Sequence, residues 1–442
     1  MGLEIDTVPS DATLPTRADV VVIGGGIIGT TAALCLAERG VRVVVVEKGV
    51  IGGEQSSRNW GWCRQANRDP REFALARESL RLWRGLNARV GADTGFATTG
   101  IAFAAHDEAT EASHDTWVRK AAGSGIEARI VRGAELARLL PGDAAAPRSA
   151  LYCESDGRAE PQRATAAIGR AARRAGALIF NSCAARGIET AGGRVVSCVT
   201  ERGPIASSTV VVAGGAWSRR ILRDVGVDLP QLKVLASVAR TTPVSGAPDV
   251  ALWDGRFAFR KRADGGYTIA DGYSSVVPVT PDSFRLLGEY LPALRLSWRT
   301  VRPRIDGRFA TEWREARRTA LDQPSPYEAT RKLDPTPDLG YLNRALRSLQ
   351  RRFPAFAGAR IAQSWAGFID STPDLVPAIS EVEGVSGLIV ATGFSGHGFG
   401  IGPGAGQLAA DLALGSAPLV DPRHFRLARY RDGTSPGPTS GL

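Results

Sequence analysis

Between Ala18 and Glu47 the chain spells out one supersecondary unit. An apolar run, Val20-Val21-Val22-Ile23, meets Gly24-Gly25-Gly26-Ile27-Ile28-Gly29, and a second apolar run, Val41 to Val46, stops at Glu47. The pattern predicts a buried parallel strand, a tight turn, a helix from about Ile27 to Arg39 and a second strand that ends at an acid. Gly24 allows the sharp turn, Gly26 lets backbone approach a pyrophosphate, and Gly29 lets helix and strand pack closely. Ile27 and Ile28 open the helix, whose N-terminus offers free N–H groups and a positive dipole end to phosphates. Glu47 follows Gly29 by 18 residues, the spacing at which an acid accepts hydrogen bonds from a ribose, with Lys48 beside it. Such a unit holds a dinucleotide.

A chain of 442 residues exceeds what one core usually supports, so two domains are expected. Met1 to Arg17 contains Asp, Glu and Pro and no apolar stretch, unlike a secretory signal, and no apolar run approaches the roughly 20 residues that span a bilayer. The five cysteines (Cys35, Cys63, Cys153, Cys183 and Cys198) are scattered, odd in number and never in a C-x-x-C pair. They point to a reducing cytoplasm and away from a metal site or a disulfide framework. The net charge of +10 comes from dispersed arginines with no basic block or aromatic-interleaved stripe, which argues against a nucleic-acid partner. A basic field still helps to gather an acidic small molecule.

Gly52 to Gln65, which includes Ser56-Ser57-Arg58-Asn59-Trp60-Gly61-Trp62-Cys63-Arg64, is too polar for a core strand and too aromatic for a linker. Asp69-Pro70 starts a helix to about Arg89, with Phe73, Ala76, Leu80, Trp83 and Leu86 at helical spacing. Beyond Leu151 a second α/β block ends in a buried strand, Thr209 to Ala213, that runs into Gly214-Gly215-Ala216-Trp217. From about Leu229 to Arg360 the texture alternates, with a hairpin turn at Ala263-Asp264-Gly265-Gly266 and Pro-rich loops, and predicts a largely antiparallel sheet inserted into the nucleotide domain. A last buried strand runs into Ala391-Thr392-Gly393-Phe394-Ser395-Gly396-His397-Gly398-Phe399-Gly400 and then a helix to about Leu414. This is a second anion site. A nicotinamide dehydrogenase has no need of it, whereas a flavin does, because hydride arriving at N5 leaves negative charge near N1 and O2.

These motifs, together covering nearly the whole chain, resemble the D-amino-acid oxidase superfamily of FAD-dependent oxidoreductases, which contains glycine oxidase, sarcosine oxidase and the D-amino-acid dehydrogenases. The resemblance implies a Rossmann-type α/β FAD-binding domain made of residues 18–90, 150–228 and 361–442. It implies an antiparallel or mixed-sheet α+β substrate domain of residues 91–149 and 229–360, lying over the flavin. Contacts to FAD are expected from Gly24, Gly26, Ile27, Ile28, Gly29, Glu47, Lys48, Ser56, Ser57, Arg58, Ala185, Gly214, Gly215, Trp217, Gly393, Gly396, His397, Gly398, Phe399 and Gly400. Two departures stand out. Where many members carry Gly-x-Arg-Pro-x-Thr-x-Asp-x-x-Pro, this sequence reads Gly367-Phe368-Ile369-Asp370-Ser371-Thr372-Pro373-Asp374-Leu375-Val376-Pro377, and no cysteine follows Cys198. The first removes an arginine with a substrate role in some members. The second removes the late cysteine that tethers flavin in sarcosine oxidases, so a noncovalent FAD is expected.

The resemblance further implies oxidation of the C–N bond of an amino acid or secondary amine, with oxygen or a quinone as electron acceptor. Such a transfer needs alignment and a deprotonated amine more than a strong base. It also needs a carboxylate anchor, for which arginine is best because its planar fork bonds both oxygens. Arg64 is the first candidate, since by resemblance its segment leads to an arginine facing substrate; it reads equally as a structural partner of FAD or of a nearby acid. Arg58 leans toward the phosphates, and Arg302 and Arg304 come next. His397 either meets flavin and substrate or packs its loop. Trp60, Trp62 and Trp365 either wall an aromatic cage for an amine or belong to the core, as do Tyr267 and Tyr273. Two other readings stay open: a flavin hydroxylase using NADPH, for which no second nucleotide motif is found, and a catalytically silent flavin- or nicotinamide-binding redox module.

Overall fold

The β-branched runs Val20–Ile23, Val43–Val46 and Thr209–Val212 are buried on both faces, which suits strands covered above and below. In the computed structural model, which describes residues 3–272, 275–435 and 437–438, they form the centre of a six-stranded sheet. Its order is Ala378–Glu381, Leu388–Thr392, Thr209–Val212, Val20–Ile23, Val43–Val46, Leu178–Phe180. All neighbours run parallel except the Ala378–Glu381 edge. Tyr273 lies outside the described residues.

Helix Ile27–Ala37 is buried at every position, as befits a helix apolar all round, and packs between Pro161–Arg174 and Gly398–Ala413. Only glycine permits that approach: a Cβ on Gly406 would stand 2.5 Å from Thr31 Cβ and 2.8 Å from the Ile28 carbonyl oxygen. In the same turn of this helix a Cβ on Gly29 would fall 2.0 Å from the Gly24 carbonyl oxygen, so the packing role read for Gly29 has a direct steric basis.

The second layer is a mixed sheet of ten strands. Its spine is the antiparallel pair Leu232–Thr241 and Ile361–Ser371, in register from Leu232 opposite Ser371 through Val238 opposite Trp365. The hairpin Phe257–Lys261 and Tyr267–Asp271 turns where the sequence predicts. Parallel pairings join Ala251–Trp253 to Ile101–Ala105 and Ser275–Pro278 to Val301–Arg304. Strands Ser149–Cys153 and Ile361–Ser371 belong to this sheet.

Much of 281–352, read from its alternating texture as sheet, is helical instead. Pro281 and Pro326 occupy first helical positions behind capping boxes, Thr280 with Ser283 and Ser325 with Glu328, a start signal stronger than alternation. Asp338 caps the Tyr341 N–H of helix Leu339–Arg352, which buries Leu342, Ala345, Leu346 and Leu349. No described helix is long and apolar enough to cross a membrane.

A cavity of about 720 Å³ lies where the two layers face each other. It opens at the carboxyl ends of Val20–Ile23 and Thr209–Val212, where parallel α/β sheets place ligands, and runs along Leu232–Thr241 of the large sheet.

Candidate active site

The first glycine turn forms one part of the cavity wall. Gly24 holds a left-handed φ of 109°, where a Cβ would lie 2.4 Å from the Ala213 carbonyl oxygen. Glu47 sits beneath it, its carboxylate accepting from the N–H groups of Gly25 at 2.8 Å and Gly49 at 2.7 Å. Burial raises its pKa, opposed by those two hydrogen bonds. The Ile27 N–H at the helix start donates to Ser56 Oγ at 2.9 Å, so the short helix Gln55–Arg58 is pinned against the turn. Lys48 pairs with Glu54 at 2.6 Å, and its Nζ stands 4.7 Å from the centroid of the Trp217 ring. Ala185, Gly214 and Gly215 complete this end.

Arg58 is buried and held by Asp334 at 2.8 Å and by the Ala366 carbonyl, leaving Nη2 unbonded. Asp370, on the strand facing it, accepts from the Gly393 N–H at 2.7 Å and Thr392 Oγ1 at 3.1 Å. Burial brings the Asp370 carboxyl up to about 6. Gly396, His397, Gly398, Phe399 and Gly400 follow along the wall. The Gly400 carbonyl is fixed by Trp83 Nε1 at 2.8 Å and Ser79 Oγ at 3.0 Å.

Beside His397 the cavity turns both cationic and aromatic. Trp60 lies 5.2 Å from Trp62 and 5.5 Å from Trp253, and Trp62 lies 6.0 Å edge-on to Phe103. The Arg64 guanidinium stands 5.3 Å from the Phe103 ring centroid, and Nη1 donates to the carbonyls of Ala66 and Asn67. Among the described residues Arg64 has no ion-pair partner. Burial, and after it the neighbouring Arg68, pull it down to about 9. Arg68 is buried too, its carbonyl accepting from Trp117 Nε1 at 2.7 Å. His397 is pushed well below its ordinary value by burial and by both guanidiniums, so its imidazole is neutral.

Not every residue singled out from the sequence reaches this cavity. Arg302 and Arg304 lie on the exposed edge strand Val301–Arg304; Arg302 donates to the Arg299 carbonyl and Arg304 pairs with Asp306. An edge strand that follows a helical excursion faces solvent, so the expectation for Arg302 is corrected. Trp365 is buried under the site, its indole N–H donating to the Arg58 carbonyl at 3.0 Å, and Ser57 turns to the Glu54 carbonyl at 3.3 Å. Gly29 and Gly393 shape the two turns without lining the space. Tyr267 is a core residue whose hydroxyl donates to Pro248 at 2.9 Å.

Arg68, Glu72, Asp156, Phe103 and Trp253 escaped the sequence reading. The four-residue steps from Arg64 to Arg68 to Glu72, across the helix start at Asp69-Pro70, were the available signal for two of them. Phe103 and Trp253 come from separate strands that only the large sheet brings together.

An elongated cavity with a strand-turn-helix glycine loop at one end, an acid under that loop and a second glycine loop along the wall fits a bound FAD. A family model for the FAD dependent oxidoreductases (DAO) matches residues 19–412, and the chain belongs to that family; it is an FAD-dependent oxidoreductase. Glycine oxidase from Pseudomonas aeruginosa is 27% identical over 419 residues, covering 92% of this chain and 97% of that one. The structure of L-amino acid deaminase from Proteus myxofaciens in complex with anthranilate is 35% identical with a TM-score of 0.92, covering 97% of this chain and 96% of that one. L-amino acid deaminase from Proteus vulgaris is 36% identical, also at 0.92, covering 96% and 100%.

Proposed function

We propose that the amino acid whose C–N bond this FAD-dependent enzyme oxidises is an L-α-amino acid with a bulky apolar side chain, anchored through its carboxylate by Arg64. The observation that carries this reading is Arg64 itself: a guanidinium beside the cavity with no ion pair among the described residues, one face on Phe103. A desolvated guanidinium favours an anion, and its fork suits a carboxylate. Trp60, Trp62, Phe103 and Trp253 stand next to that anchor and form an apolar wall for a large side chain. The similarity to L-amino acid deaminases at 35 to 36% identity supports the L configuration.

Bound FAD would supply the acceptor for the hydride of the α-carbon, and the imine product would hydrolyse in water. The chain's residues do the positioning. Gly24, Gly26 and Glu47 would hold the dinucleotide end, with Ile27, Ile28, Lys48 and Ala185 around it. Ser56, Arg58, Gly214, Gly215 and Trp217 would flank its middle, and Gly396, His397, Gly398, Phe399 and Gly400 its ring. The cofactor is held without a covalent bond and its electrons pass to oxygen or a quinone. The six-stranded layer carries FAD and the ten-stranded layer covers it with substrate residues.

Anaerobic mixing with single amino acids tests the reading through loss of flavin absorbance. L-phenylalanine and L-leucine are expected to bleach the protein, and D-phenylalanine, glycine and sarcosine to leave it yellow. Faster bleaching by glycine or sarcosine would overturn the side-chain assignment, and faster bleaching by D-phenylalanine the handedness.

A further inference from the structure

Next to Arg68 lies a carboxyl with an ion pair but no hydrogen bond. Glu72 is fully buried, and neither of its oxygens has a hydrogen-bond partner among the described residues. Its polar neighbours are Arg68 Nη1 at 3.7 Å and His397 Nδ1 at 3.8 Å, and both of these nitrogens are themselves buried and unbonded. Three polar ends thus converge, the Glu72 carboxylate, Arg68 Nη1 and His397 Nδ1, none of them hydrogen-bonded among the described residues, which protein interiors seldom tolerate without a purpose. Arg68 also ties the neighbourhood together, with Nη2 3.3 Å from the His397 carbonyl and Nε 3.5 Å from that of Arg64.

The titratable groups facing Glu72 are Arg64, Arg68, Asp69 and Arg71 from its own segment and the neutral His397 from the glycine loop. Arg71 is engaged with Asp69 and Asp374, and Asp156 acts on Arg64 from a third segment. Before substrate arrives, two guanidiniums therefore answer two buried carboxyls, Glu72 and Asp156. A substrate carboxylate makes three anions for two cations.

Resting on the reading of Arg64 as carboxylate anchor, we infer that Glu72 takes up one proton as the substrate carboxylate binds, and as a neutral acid donates a hydrogen bond to Nδ1 of His397. The proton comes from solvent, one O–H bond forms, and the charge brought by the substrate is balanced. The neutral imidazole supplies the acceptor. With Nδ1 accepting, the ring proton resides on Nε2, so His397 presents a donor to the cavity, where its side chain is one quarter exposed. Glu72 is in this sense a positioning residue. Burial, opposed by Arg68, already holds its carboxyl up at about 7, so the exchange falls within the working pH range.

The test is titration of the FAD-loaded protein with anthranilate, a carboxylate whose arylamine is uncharged at neutral pH. Above pH 7 an ionised Glu72 must be protonated as ligand binds, so Kd is expected to rise close to tenfold per pH unit. Calorimetry at pH 8 in two buffers of different ionisation heat is expected to count close to one proton taken up per anthranilate. In Glu72→Gln, a neutral donor at every pH, the Kd should be flat between pH 7 and 8, below the range where Arg64 at about 9 loses its charge, and no proton taken up. A wild-type Kd that is flat, or a Glu72→Gln protein that keeps the slope, overturns the proposal while leaving the anchor standing. Absence of anthranilate binding at any pH overturns the anchor and this proposal with it. If the glutamine variant does not accumulate, the infrared difference spectrum of wild type decides: a protonated-carboxyl band must appear on adding anthranilate, and its absence overturns the proposal.

Discussion

Replacing Arg64 by alanine removes a cation that has no direct ion-pair partner among the described residues. The guanidinium spends one nitrogen on the carbonyls of Ala66 and Asn67 and keeps the rest of its fork for a ligand, so the loss is that of a charge-assisted pair in a partly desolvated cleft, about 2 to 5 kcal/mol. Two features narrow the range. Arg64 is only half-buried, which keeps the loss below the upper end. Arg68 remains beside the vacated position and holds part of the anion's attraction, which favours the lower half. A loss of about 2 to 3.5 kcal/mol follows, roughly 30- to 300-fold in kcat/KM at 1.4 kcal/mol per decade. Arg64→Lys should recover only part of it, because an ammonium keeps the charge without the fork. The assay is the rate of anaerobic flavin bleaching against L-phenylalanine concentration, with flavin content measured alongside. Bleaching of Arg64→Ala as fast as wild type at every concentration refutes the anchor. An equal defect in Arg302→Ala, expected to be silent on its exposed edge strand, refutes the geometric argument itself.

Three further outcomes follow from the same contacts. Glu47→Ala should weaken FAD retention by about 1 to 3 kcal/mol, roughly 5- to 150-fold in Kd, and unchanged flavin content after exhaustive dialysis would show that the acid is not at the ribose. Acid precipitation should release the yellow chromophore into the supernatant, since no cysteine follows Cys198; colour kept in the pellet would establish a covalent link. Glu160→Gln should cost about 3 to 5 kcal/mol of stability, because it leaves Arg260, 2.9 and 3.0 Å from the two carboxylate oxygens, buried without its partner. Burial works to raise Glu160, but Arg260 and Arg262 outweigh it and bring the carboxyl from 4.5 to about 2. Its contribution is therefore complete above pH 4.5 and lost as pH falls toward 2, and a gap in Tm to the variant that does not narrow across that window would contradict the assignment.

The cofactor half of the molecule was legible because its signals are local. A glycine turn, the helix it opens and the acid that follows lie within 30 residues, and each has a steric reason that one-dimensional spacing preserves, as the Gly29 and Gly24 contact shows. The substrate half was not legible in the same way. Phe103, Trp253 and Arg64 come from three segments far apart in the chain, and only the pairing of Ala251–Trp253 with Ile101–Ala105 sets the aromatic wall beside the arginine. Arg302 misled because alternation in a basic segment looks the same whether the strand faces a cleft or solvent. Helix Leu339–Arg352 was hidden behind Pro-rich loops, although its buried leucines and Asp338 cap obey ordinary helix rules.

The departure at Ile369-Asp370 connects these halves. In place of the Arg-Pro pair of the family pattern, Asp370 points inward and binds the Gly393 N–H and the Thr392 hydroxyl, while Gln231 Nε2 bonds Thr392 Oγ1 at 3.2 Å and the Gly215 carbonyl at 3.2 Å. One carboxylate and one amide thus join the strand of the substrate layer to both glycine segments, Gly214-Gly215 and Gly393 to Gly400. Ile369 stands at the arginine position of that pattern, and Asp370, at the proline position, ties the Thr392-Gly393 turn to its own strand. With no arginine in this stretch, the guanidiniums beside His397 are those of Arg64 and Arg68, on the segment that leads into helix Phe73–Val90. The polar work around the cavity is divided: Asp370 fixes the loop that carries His397, and Arg64 and Arg68, with Glu72 against Arg68, form the arginine pair proposed above to meet a carboxylate.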